Sequence, residues 1–165
     1  QAVKMVTDSN IGDWAQLSRH FPYSLSKRIG LEISFGSLAV GSPLTMSLFF
    51  YDGALVHHSR IKIDASEKKV YIGIDATNFK ELTTIEPLTI SENLLYCTKF
   101  VADFEADKYA RFLFNNIELD LAEESIFTSE AVEAPRLYVT LNVKNNVAIA
   151  GGVYIDSFIL THNEP

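Results

Sequence analysis

Three observations predict an all-β chain folded as two packed antiparallel sheets. Apolar and polar residues alternate with a period of two in ten or eleven short segments, and clusters of turn residues separate those segments at hairpin spacing. Eleven Phe and seven Tyr accompany many Val, Ile and Thr, the residues that suit a half-buried pleated surface. No stretch keeps a 3.6-residue period over a useful length, so helix should fall below about 10% against a usual share of roughly 30%.

In chain order, Ala2 to Thr7 reads as an opening strand, with Val3, Met5 and Thr7 on one side. Asp8 to Asp13 is a turn by composition. Trp14 to Phe21 follows with a blurred pattern: Trp14, Gln16, Ser18 and His20 oppose Ala15, Leu17 and Arg19. Ile29, Leu31, Ile33 and Phe35 then alternate well with polar neighbours, and Gly36 to Pro43 makes a loop. Leu44, Met46, Leu48 and Phe50 mark a strand apolar enough to be central. Asp52-Gly53 is a strong turn signal, and Leu55 to Ile63 runs back from it. Ala65 to Lys68 turns the chain again, into Val70 to Ile74 with Tyr71 on the other side. Asn78 to Leu82 reads as a short helical turn or a loop, and Leu88 to Ile90 is too short to assign. Ala122 to Ser125 is a loop or single helical turn. Leu137, Val139, Leu141 and Val143 alternate cleanly, and Val153 to Leu160 closes the sequence.

The stretch 98–121 is the most informative. Phe100 and Phe104 lie on one face of a first strand, Phe112 and Phe114 on one face of a second, with Ala106 to Lys108 between them as a turn. Pairing Phe100 with Phe114 and Ala102 with Phe112 keeps every aromatic on one side, because a one-residue slip would reverse each side chain. Asn115-Asn116 makes a tight second turn, since Asn tolerates positive φ, and brings Ile117 opposite Phe114 and Leu119 opposite Phe112. The same register aligns Asp103, Arg111 and Asp120 as an ion ladder on the opposite face.

A length of 165 residues, 47% hydrophobic and 21% charged, fits one globular domain with a sizeable core. The formal charge of −7 comes with no cluster of basic residues along the sequence, which argues against nucleic acid and anionic membrane surfaces as partners. Cys97 is the only cysteine, so no internal disulfide and no cysteine-rich zinc site can form. No apolar run approaches a membrane span and no signal peptide stands out. A chain opening on Gln1 fits a processed secreted protein or a piece of a longer one; an extracellular or periplasmic setting is favoured over a cytoplasmic one.

From Leu44 onward the order of pieces resembles the laminin-G-like, concanavalin A-like jelly roll. The carriers are Leu48 to Gly53 as a strand entering a tight turn and Val56 to Asp64 as the strand after it. Phe100 to Phe104 and Tyr109 to Asn116 match its strand–turn hairpin, and Tyr154 to Phe158 matches its closing strand. A second kind of carbohydrate-binding jelly roll also ends in such a strand. The resemblance spans roughly two-thirds of the chain at the level of pattern. It implies a glycan partner, often with calcium, and in some members cleavage of the glycan.

Asp103, Glu105 and Asp107 resemble the alternating carboxylates of retaining glucanases in this fold. Such enzymes need two carboxyl groups about 5–5.5 Å apart, and strand positions i and i+2 lie ~6.5–7 Å apart at Cα. The order here departs from that motif, Glu-x-Asp followed by a further Glu. The polar half of an amphipathic strand, with Arg111 neutralising Asp103, accounts for these residues without catalysis. Asp156 interrupts an apolar strand, where a charge must be solvated, paired or metal-bound. The resemblance implies an oxygen ligand for calcium there, with Asp8, Asn10 or Asp13 as partners. His57 and His58 point to opposite faces and cannot chelate one metal. Trp14, Tyr71, Tyr109 and Tyr138 are candidate sugar-stacking residues, with Tyr51 beside them, because Tyr and Trp pair a flat apolar ring with a hydrogen-bonding group. No phosphate loop, nucleophile elbow or zinc-protease helix occurs. The expected function is a non-catalytic carbohydrate-binding or adhesion-type module needing no cofactor. A glycoside hydrolase or lyase using paired carboxylates, and a structural or assembly domain without a small ligand, are the alternatives.

Overall fold

A computed structural model describes residues 2–36, 41–84, 94–148 and 150–165. Thirteen strands and no helix occur among them. In order they are β1 (Val3–Val6), β2 (Trp14–Pro22), β3 (Arg28–Gly36), β4 (Leu44–Tyr51), β5 (Leu55–Asp64), β6 (Lys69–Gly73), β7 (Phe79–Thr84), β8 (Leu95–Asp103), β9 (Lys108–Phe114), β10 (Ile117–Asp120), β11 (Phe127–Glu130), β12 (Arg136–Lys144) and β13 (Gly152–His162).

They form two antiparallel sheets with the chain passing between them. The six-stranded sheet runs β1-β13-β3-β8-β9-β10. The seven-stranded sheet runs β2-β12-β4-β5-β6-β7, with β11 paired to β5. Alternation decides the interior. Ile29, Leu31, Ile33 and Phe35 of β3 meet Leu44, Met46, Leu48 and Phe50 of β4 in one core, all fully buried. This is the two-sheet jelly-roll sandwich that the period-two pattern predicts.

The meander of β8, β9 and β10 keeps the predicted faces with one correction of register. Ile117 opposes Phe114, Leu119 opposes Phe112 and Asp120 opposes Arg111, as expected. Between β8 and β9, however, Phe100 opposes Phe112 and Thr98 opposes Phe114, a shift of two residues. A shift of two preserves facing, so Phe100, Phe104, Phe112 and Phe114 are all buried. The cause lies at the turn, which spans Phe104 to Asp107 with Asp107 at φ +53°, followed by a bulge opposite Val101 and Ala102. Val101, not Asp103, therefore faces Arg111, and the predicted Asp103–Arg111–Asp120 ladder does not form.

The bulge also turns Tyr109 inward, against the expectation that it faces solvent. It is fully buried. Its hydroxyl accepts from Arg60 N at 2.9 Å and lies 3.1 Å from Arg60 O and 3.2 Å from Gly73 O, so it pins β9 to β5 and β6 across the core. Burial pushes its phenol up to about 12.

Two further differences concern the seven-stranded sheet. Residues 79–84 form strand β7, not a helical turn, because Phe79, Lys80 and Glu81 pair with Gly73, Ile72 and Tyr71. β11 has no counterpart among the expected strands: four residues, Phe127 to Glu130, pair with β5. Leu88 to Ile90 lies outside the described residues.

Candidate functional site

The outer face of the seven-stranded sheet is set by residues alternate to the core. On β12 the core takes Leu137, Val139, Leu141 and Val143, which leaves Arg136, Tyr138, Thr140, Asn142 and Lys144 outward. Cross-strand register then assembles rows. His20 of β2 opposes Tyr138, Tyr138 opposes Phe49 of β4, Phe49 opposes His58 of β5, and His58 opposes Phe127 of β11. Ring centroids in this row are 4.4 Å apart for His20 and Tyr138 and 5.7 Å for Tyr138 and Phe49. Phe49 and His58 are 5.2 Å apart, and His58 and Phe127 5.1 Å. Five aromatic rings thus cross five adjacent strands in contact with one another, over ~19 Å at a strand spacing near 4.8 Å.

The neighbouring row is small and polar: Ser18 is exposed, Thr140 and Ser47 are buried beneath the flanking side chains, and the row ends in Arg60. Beyond it stand Gln16, Asn142, Thr45, Lys62 and Tyr71. The Gln16 side chain bridges the two outer rows by donating to the Tyr138 hydroxyl at 3.1 Å, and Asn142 donates to Thr140 Oγ1 at 3.1 Å. Burial, Arg60 and His57 push the His58 imidazole below its ordinary value. Its Nε2 meets Ser129 Oγ at 3.1 Å. The outward positions of β2, β12, β4, β5 and β11 include no free carboxylate. The one acid among them, Asp64, ends β5 and turns its Oδ1 back onto Ser66 and Glu67 amides.

The four stacking candidates have different fates. Tyr138 stands in the aromatic row between His20 and Phe49. Tyr71 lies on the same face nearer the β7 edge, with the Lys62 ammonium 3.9 Å from its ring centroid and its hydroxyl bonded to Glu67. Trp14 is exposed at the start of β2, beside Val6, Thr7, Asp8 and Asp13. Tyr109 is in the core and offers nothing to solvent. Sequence reasoning missed His20, Phe49, His58 and Phe127 as a group. The pattern places each outward, but only the strand order makes them neighbours.

Asp103 and Glu105 do not share a strand. β8 ends at Asp103, whose Oδ1 accepts from Glu105 N and Ala106 N at 3.1 Å, so this carboxylate closes the turn. Asp156 sits at a β-bulge of β13 and lines a cleft of about 390 Å³ between the sheets, with Val3, Leu17, Arg19, Val139 and Phe158 among its neighbours. Asn10 donates to Asp13 Oδ2 at 3.0 Å within its own loop. Among the described residues no group of three or more His, Cys, Asp or Glu is placed to hold a metal ion. His57 is buried; its Nδ1 meets Asp107 Oδ1 at 2.5 Å and its Nε2 lies 3.5 Å from Asp52 Oδ2. No helix among the described residues is long and apolar enough to cross a membrane.

No family model matches the chain, and no curated protein matches its sequence. Solved structures do match its fold. A sialidase structure superposes with a TM-score of 0.60 at 10% identity over 99% of this chain, which spans 15% of the sialidase's length. The carbohydrate recognition domain of Emp46p, in potassium-bound form, gives 0.57 at 11% identity, covering 97% of this chain and 88% of that one. Lectin I-B4 from Griffonia simplicifolia, in metal-free form, gives 0.59 at 8% identity, covering 99% and 88%. A Bacteroides ovatus GH16 structure from a mixed linkage glucan system gives 0.55 at 12% identity, covering 97% and 81%. At these identities the likeness is one of fold: the chain is a concanavalin A-like jelly-roll sandwich.

Proposed function

We propose that the outer face of the seven-stranded sheet binds carbohydrate and that the domain is a non-catalytic carbohydrate-binding or adhesion-type module. The observation that carries this reading is the row His20–Tyr138–Phe49–His58–Phe127 on the same face as the accessible hydroxyl and amide side chains of Ser18, Gln16, Asn142 and Thr45. A sugar ring has apolar C–H surface and a rim of hydroxyls. It needs flat apolar partners with donors and acceptors close by, and this face supplies both. The same inventory supports binding without cleavage. Glycoside hydrolysis needs a pair of carboxyl groups flanking the scissile bond, and these five strands turn no free one outward. Two fold neighbours, a carbohydrate recognition domain and a lectin, point the same way. We place the domain outside the cytoplasm, where extended glycans are encountered.

Affinity electrophoresis against a panel of soluble polysaccharides, followed by calorimetry on those that retard the protein, tests this. Tyr138→Ala and Phe49→Ala should each weaken binding at least tenfold while the thermal midpoint stays near that of the parent. Tyr154→Ala, on the exposed face of the other sheet, should leave binding unchanged. Absence of binding across the panel, or equal binding by the Tyr138 variant, overturns the proposal. Release of reducing ends that Asp103→Asn or Glu105→Gln abolishes would move the function to the hydrolase class.

A further inference from the structure

We infer that the glycan taken by this face is acidic, bearing carboxylate or sulfate groups; the inference rests on the carbohydrate-binding reading and names its ligand class. Basic residues are scattered along the sequence, yet folding turns Arg60, Lys62, Lys69, Arg136 and Lys144 outward on the same sheet face, with His20 and His58 among them. The chain as a whole carries 21 acidic residues against 14 basic ones, so a cation placed at random should find an acidic neighbour.

The other sheet shows what pairing looks like. There Lys99 meets Glu164 at 2.6 Å and Glu32 at 3.9 Å, while Arg111 meets Glu164 at 3.1 Å and Glu118 at 3.6 Å. On the seven-stranded face three of the five cations are occupied: Lys69 meets Glu81 at 2.8 Å, Arg136 reaches Glu133 in the preceding loop, and the Arg60 guanidinium holds backbone oxygens of Asp75, Ala76 and Asn78. Lys62 and Lys144 have no ion pair among the described residues. Lys62 instead lies over the rings of Tyr71 and Phe79, at 3.9 and 5.1 Å from their centroids. An ammonium held against an aromatic wall beside Thr45 and Asn142 is positioned to meet an anionic substituent on a glycan chain that stacks on the aromatic row, four residues along β5 at His58 and ~13 Å away. A neutral glycan would leave these charges unanswered. An acidic one engages ring surface and cations together.

Calorimetry on the full chain distinguishes the cases. Polygalacturonate and alginate are each compared with their carboxyl-reduced forms, and dextran sulfate with dextran. At least one acidic polymer should bind ten times more tightly than its neutral counterpart. Lys62→Gln and Lys144→Gln should each lower that affinity at least threefold, and Tyr138→Ala should abolish it. Preference for the polyuronates assigns a carboxylate-bearing ligand, and preference for dextran sulfate a sulfated one. Equal binding of charged and neutral forms, with Tyr138→Ala still destructive, overturns the acidic ligand and leaves the carbohydrate face standing. Binding of polyanions that ignores Tyr138→Ala, or that a single-stranded oligonucleotide matches, overturns both in favour of simple ion exchange. No binding to any polymer overturns both as well.

Discussion

The Nδ1 of His57 lies 2.5 Å from Oδ1 of Asp107, a contact that ties the seven-stranded sheet to the β8–β9 turn of the other. A carboxylate oxygen only accepts, so Nδ1 carries the hydrogen. Asp107 holds this position at φ +53°, a conformation that costs any residue with a Cβ. Asp107→Ala should lose ~1–3 kcal/mol in urea unfolding, since it leaves a buried imidazole donor unmet. Asp107→Gly should lose less, because glycine relieves about 1 kcal/mol of backbone cost in the folded state. Equal losses would mean that the contact, not the turn conformation, sets the outcome.

Tyr109→Phe tests the inward bulge. It removes only an oxygen, but that oxygen serves Arg60 N and the backbone oxygens of Arg60 and Gly73. The expected loss is ~1–3 kcal/mol, as for other buried polar groups left without a partner. Tyr138→Phe, on the half-exposed row, should change stability by under about 0.5 kcal/mol. A reversed order would put Tyr109 outside the core.

Phe112→Ala empties a fully buried position and should cost ~3–5 kcal/mol. Arg111→Ala should cost less, ~1–2 kcal/mol, because Glu164 keeps Lys99 and the Thr161 hydroxyl when the guanidinium goes. Differential denaturation of the two variants checks the ranking.

Asp52 supplies an acid-limb prediction. Its Oδ1 accepts from Leu55 N at 2.8 Å and Ala54 N at 2.9 Å, and these bonds hold its carboxyl at about 2 against an ordinary 3.8. A depressed folded value means stabilisation that is complete above the unfolded value and disappears as pH falls through the folded one. The window is therefore about pH 4 down to about pH 2. Asp52→Asn retains an accepting oxygen but no titration, so its stability should fall less steeply than the parent's across that window. Parallel profiles from pH 5 to pH 2 would sink the assignment.

Much of the fold is legible in alternation alone. β3, β4 and β12 are read correctly because each has an unbroken apolar row, β5 because the Asp52-Gly53 turn sends the chain back into it despite His57 and Ser59 on its inner face, and the Asn115 turn because a positive φ there suits Asn. The β8–β9 register escapes, since pairing Phe100 with Phe114 or with Phe112 satisfies the same facing and the choice falls to a bulge that leaves no compositional mark. Strand β7 escapes because Asn78 to Leu82 lacks alternation; its pairing with β6 supplies what the pattern does not. The aromatic row shows the same limit at the level of the site. His20, Phe49, His58, Phe127 and Tyr138 come from five strands, and which five stand side by side is a property of strand order that no local window contains.

The order of strands also has a bearing on synthesis. β1 pairs with β13, and β2 pairs with β12, so the first strands made wait for the last ones. As the chain leaves the ribosome, Val3 to Pro22 is exposed until residues beyond 136 follow, and its contacts are among the most distant in sequence that a chain of this length can form. An unpaired strand of nine residues invites capture by a neighbouring nascent chain. β2 is poorly suited to that fate: Arg19 falls among the inward positions, where a second strand edge would have to bury its charge, and Pro22 withholds a donor at its end. The same residues that blur β2 as a pattern thus make it a poor edge for a second strand.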